Sequence, residues 1–141
     1  MALRDLLAGL LSGLLALPAS CDLPRDPENT KEEATGRTLR AVLVAPALTP
    51  DEAEALAGLA DRLGAELVAA PGDIHAGVAA LRLGTAEVVI GGIFQSTPMT
   101  SEAAATKPIG RERFVMLLRP GENAMLLAAN RVVGDLGEAG P

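Results

Sequence analysis

The sequence predicts an α/β lobe of three layers, with helices on both faces of a mainly parallel sheet of strand order 2-1-3 plus a C-terminal strand. Three observations predict it. Short apolar runs rich in Val, Leu and Ile alternate with segments whose apolar residues recur at helical spacing. Each run is closed by Pro or Gly. The chain has 141 residues, 49% apolar and 21% charged, which suits one domain of ordinary size and is too apolar for a disordered chain.

The N-terminal part is read as address and tether. In residues 1–20 Arg4 is followed by an apolar run from Leu6 to Leu17, too short to span a bilayer of roughly 30 Å but matching the core of a secretory signal. Cys21 is the only cysteine and follows Leu17-Pro18-Ala19-Ser20 directly. This looks like a bacterial lipobox, which implies lipidation of Cys21 and a membrane anchor on the periplasmic or extracytoplasmic face. The remainder of the 21–37 segment is polar, carries both charge signs and has no apolar periodicity, so it reads as a surface tether.

The lobe itself is expected over residues 38–134. Thr38 to Ala45 is the first strand, ended by Pro46. Thr49-Pro50-Asp51-Glu52 starts the first helix: Thr49 caps, Pro50 suits the first helical position, and Glu52 completes a capping box. Asp51, Glu52 and Glu54 read as first-turn charges favoured by the helix dipole. Leu56, Leu59, Ala60 and Leu63 form the buried stripe, and Gly64 stops the helix. Glu66 to Ala70 is the second strand, Asp73 caps a helix carrying Ile74, Val78 and Leu81, and Glu87 to Ile90 is the third strand. Arg113 to Leu118 reads as a fourth strand, with Arg111, Glu112 and Arg113 as its solvated end. Glu122 to Val133 is the last helix, and 135–141 is expected to be a flexible tail.

Such a sheet binds ligands outside the carboxyl ends of its strands, where the strand order reverses. The two loops leaving that place are Ala45 to Pro50 and Gly91 to Pro98. The second carries the candidate ligand-binding residues Gly92, Gln95, Ser96 and Thr97: a glycine allows close backbone approach, and the others offer neutral hydrogen-bonding groups.

Composition narrows the function. A net charge of −6 and 1% aromatic residues leave neither a basic stripe for phosphates nor a stacking platform, so no nucleic acid is expected. One Cys and one His, His75, supply neither a disulfide nor a metal cluster, and no metal or cofactor is expected. No catalytic dyad is legible, so the chain is not read as an enzyme.

Three segments in order resemble bacterial periplasmic solute-binding proteins of the amino-acid ABC-transporter type, lipoprotein subgroup. Cys21 to Glu28 (CDLPRDPE) is similar to the segment after the anchor. Ala86 to Gly92 (AEVVIGG) with Ser96-Thr97-Pro98 is similar to the family's strand and loop ending in Thr-Pro. Arg119 to Ala124 (RPGENA) is similar to a turn near the family's C-terminus. The resemblance implies the first lobe of such a receptor, with the second lobe absent, since about 20 residues between Pro98 and Leu118 cannot hold another domain. Amino-acid-binding members usually carry an Arg just after the Thr-Pro pair, and this chain has Met99 and Thr100 there. The implied function is a lipid-anchored module binding a small polar solute such as an amino acid for an ABC permease. The alternative is a non-binding lobe that docks on an envelope protein. A homodimer could form through the surface that normally packs on the second lobe.

Overall fold

A computed structural model describes residues 24–139. The signal segment and Cys21 lie outside the described residues.

The elements run α1 (Thr30–Ala34), β1 (Thr38–Leu43), α2 (Pro50–Leu63), β2 (Glu66–Pro71), α3 (Ile74–Leu83), β3 (Val88–Ile90), a 3-10 turn at Pro98–Ser101, β4 (Ala104–Ala105), β5 (Leu117–Leu118) and α4 (Asn123–Glu138). The sheet order is β2-β1-β3-β5-β4. β1 pairs in parallel with β2 and β3, whereas β5 runs antiparallel to β3 and β4. This is the expected α/β lobe with order 2-1-3 and a C-terminal strand beside the third; the short β4 at the edge was not foreseen.

Alternation along the strands sends side chains into two cores. Leu39, Ala41, Val88, Ile90 and Leu118 meet α2 and α4 on one face, where Ala55, Leu56, Leu59, Met125 and Ala129 are buried. Val89 and Leu117 meet Val78 and Leu81 of α3 on the other. The helix ends follow from their residues. The Thr49–Glu52 capping box is present, the Asp73 side chain accepts from the Ala76 N–H at 2.9 Å, and Gly64 and Gly84 close their helices in the left-handed region.

Three expectations fail. Residues 24–37 are not a free tether. Asp26 Oδ1 accepts from the Ala124 and Met125 N–H groups at 2.6 and 3.0 Å, capping α4 from far away in the sequence. The buried Glu122 carboxylate accepts from the Glu28 and Thr30 N–H groups, and Ala34 sits in the core. The fourth strand is shorter than Arg113 to Leu118. Arg113 is left-handed at φ 57°, and the Met116 N–H goes to Thr106 Oγ1 at 3.1 Å instead of a ladder carbonyl. Finally, α4 continues through Glu138 instead of fraying from 135, because Leu136 packs against the core.

Candidate functional site

β1 and β3 are parallel neighbours, so the chain leaves both at the same end of the sheet. The Val44 N–H donates to the Ile90 carbonyl at 2.9 Å, keeping the two exits together. Directly after it, Gly91 has φ 131°, and a Cβ there would stand 2.5 Å from the Ala45 nitrogen. Only glycine allows the two loops to touch in this way. Gly92, at φ 64°, is different: a Cβ would meet nothing within 4 Å.

Glu52 joins the same place from α2. It is 1% exposed. Its Oε2 accepts from the Thr49 N–H at 3.0 Å and from Thr49 Oγ1 at 3.2 Å, while its Oε1 accepts from the Gly92 N–H at 2.8 Å. One buried carboxylate thus caps α2 and pins the loop after β3, and its oxygens are satisfied by hydrogen bonds instead of a cation.

The pinned loop lines an open cleft of about 340 Å³ together with Val44 and Ile74, and Gly92, Ser96, Thr97 and Pro98 are among the loop residues that border it. Phe94 stands on its rim, 62% exposed, edge-on to Phe114 with ring centroids 5.1 Å apart. Beyond Phe94 a shallower hollow of about 460 Å³ is bordered by Gln95, Ser96, Glu112 and Arg113. An apolar floor with a few polar groups on the rim is the usual make-up of a small-molecule site.

The residues singled out in the sequence fall around this feature with different freedom. Gly92, Ser96 and Thr97 line the cleft, and Gln95 borders the adjoining hollow instead. The Gly92 N–H is already given to Glu52, which leaves its carbonyl and bare Cα for a ligand. Thr97 is partly committed too: its N–H donates to the Phe94 carbonyl at 3.0 Å, and Oγ1 accepts from the Met99 N–H at 3.4 Å at the start of the 3-10 turn. Met99, standing where the resemblance would place an arginine, packs against the α3-side core. A larger hollow of about 540 Å³ lies beside Asp51, Glu54 and Arg111, against the C-terminal end of α4.

Sequence reasoning missed Glu52 as a site-building residue, and it missed Phe94, Phe114 and Arg113. A signal existed for the aromatics. The chain has 2 Phe and no Trp or Tyr, so an exposed Phe immediately after Gly-Gly-Ile is an unusual expenditure of apolar surface.

No protein-family model and no curated protein sequence matches this chain. Solved structures do. A point mutant of the arginine-bound form of domain 1 from TmArgBP superposes with a TM-score of 0.64 at 18% identity, covering 77% of this chain and 98% of that one. The arginine-bound form of the same domain gives 0.61 at 18% identity, covering 74% and 96%. An ancestral arginine-binding protein bound to arginine gives 0.59 at 12% identity, covering 75% and 94%. The chain has the fold of domain 1 of such solute-binding proteins.

Proposed function

We propose that this protein is a single-lobe solute-binding module that takes up an amino acid in the cleft between the β1 and β3 loops. The observation that carries the reading is the cleft itself. It lies at the switch point of a doubly covered sheet, is lined by Gly92, whose loop Glu52 pins, and is flanked by exposed Phe94. A domain of the same fold is described as arginine-bound on its own, which supports a lone lobe as a sufficient binding unit. Arginine is therefore the first ligand to try. Phe94 offers a flat face for a side chain or a cationic group. Arg113 and Glu112 on the adjoining rim offer opposite charges to the carboxylate and ammonium of an amino acid.

The module belongs, in this reading, to an exported protein lipidated on Cys21 and tethered to a membrane, delivering its solute to an ABC permease. Labelling with a radioactive fatty acid in a bacterial host, lost in Cys21→Ser, tests the anchor. A melting screen of the full chain against amino acids, sugars and organic acids tests the binding. Saturating ligand at a hundredfold excess over Kd adds about 2.7 kcal/mol. A shift confined to amino acids supports the reading, and a melt that no compound moves contradicts it.

A further inference from the structure

β2 is an edge strand, and all six of its residues, Glu66–Pro71, are exposed. Leu67 is 38% and Val68 48% exposed, among the few large apolar side chains left in solvent in the described residues. Edge strands are normally blunted by lysine, proline, bulges or a covering loop, because their free N–H and C=O groups template pairing with another chain, and β2 carries of these only Pro71 at its end. Here Glu66 is the only charge on the strand, and it stands at one end.

The direction of the backbone groups can be read from the neighbour. The Glu66 N–H donates to the Arg37 carbonyl and the Gly72 N–H to the Leu43 carbonyl. Groups alternate sides along a parallel pair, so residues 66, 68, 70 and 72 face β1 while Leu67, Ala69 and Pro71 face outward. Pro71 has no N–H, and the Ala65 N–H is already given to the Ala60 carbonyl at 2.9 Å. The outward donors are therefore Leu67 and Ala69 alone.

We propose that β2 pairs antiparallel with β2 of a second copy of this chain, about a two-fold axis at Val68, joining the two sheets into one. In this register Leu67 exchanges both hydrogen bonds with Ala69 of the other copy, and Ala69 with its Leu67. Every outward donor and acceptor of those two residues is satisfied. Shifting the register by two residues in either direction leaves a carbonyl of Leu67 or Ala69 unpaired. Side chains agree with the same choice. Val68 lies directly opposite Val68 in a non-hydrogen-bonded pair, where side chains approach closest, and Glu66 lies opposite Ala70, away from the other Glu66. The ladder ends on its own at Pro71 and Ala65. One such ladder buries far less than the roughly 1,200 Å² of a tight interface, so the pairing forms at high concentration or when both copies share a membrane.

Sedimentation equilibrium of the full chain from about 10 μM to about 1 mM tests this, the range following from the small area. The apparent mass should rise from 14.4 kDa toward double that value. Ala69→Pro removes an outward N–H and leaves the β1 ladder intact, so it should melt like the parent and stay monomeric. Val68→Lys should also be monomeric, and mixing it with Val68→Glu should restore the dimer as a heterodimer, because position 68 faces itself. The second pair decides the matter if the proline variant does not fold. A parent that stays monomeric throughout, or variants that dimerise as the parent does, would overturn the proposal. So would Leu67 and Ala69 amides whose hydrogen exchange does not slow as concentration rises.

Discussion

The Glu52 carboxylate accepts a hydrogen bond from the Gly92 N–H at 2.8 Å, tying the first turn of α2 to the loop that walls the cleft. The same group caps its helix through Thr49, so helix start and binding loop share one side chain. Glu52→Ala leaves the Gly92 and Thr49 donors without their acceptor and should cost about 2–4 kcal/mol in urea unfolding. Glu52→Gln keeps the shape but turns one acceptor into a donor facing an N–H, and should cost about 1–2 kcal/mol. Both should speed hydrogen exchange at Gly92. An Ala variant as stable as the parent would remove Glu52 from this role.

Neighbouring glycines should respond in opposite ways. Gly91→Ala drives a methyl into the Ala45 backbone at a φ of 131° and should destabilise by about 3 kcal/mol or more. Gly92→Ala meets open space and pays only the left-handed backbone cost of about 1–2 kcal/mol. Its methyl faces the proposed ligand, so affinity should fall further than stability. Thermal melts and ligand titration of the two variants separate packing from binding.

Docking of the N-terminal segment predicts that it protects the lobe. Asp26→Ala uncaps α4 and should cost about 1 kcal/mol. Glu122→Gln turns one of the two oxygens that accept from the Glu28 and Thr30 N–H groups into a donor facing an N–H, and should cost about 1–2 kcal/mol. In both, residues 24–35 should become the first site of limited proteolysis. Unchanged cleavage would mean the segment contributes nothing to holding α4.

Asp73 gives the clearest pH signature. The Ala76 N–H, and to a lesser degree His75, hold its carboxyl below the usual carboxylate range. A carboxyl depressed in the folded state contributes stability above its unfolded pKa, and that contribution is lost as pH falls through the folded value. The stability gap between the parent and Asp73→Ala should therefore be constant near neutrality and shrink in the acid range below the usual carboxylate pKa. A gap independent of pH would contradict the charge-assisted cap.

The alternation of strand and helix and the capping residues were legible because they rest on local chemistry: Thr49, Asp73 and Gly64 declare helix ends whatever surrounds them, and the 2-1-3 order follows from that alternation through the handedness of parallel crossovers. The cleft was located by topology, as the place where the β1 and β3 loops leave the sheet. What escaped the sequence depends on distant partners. Asp26 and Glu122 are ordinary surface residues by pattern, and only the fold brings residues 24–30 to the start of α4. Glu52 was legible as a cap but not as the anchor of Gly92, 40 positions on. The RPGENA turn and the PRDPE segment, two of the stretches behind the family resemblance, meet each other and stand apart from the cleft. Their likeness bears on how the lobe is closed.

The most direct test of the account is a calorimetric titration of the full chain with L-arginine and then the other amino acids, beside Phe94→Ala. Saturable one-to-one binding of an amino acid is expected, weakened about tenfold when the exposed ring is removed, a loss of about 1.4 kcal/mol. Absence of binding by any amino acid, or affinity unchanged in Phe94→Ala and in Ser96→Ala alike, would contradict it.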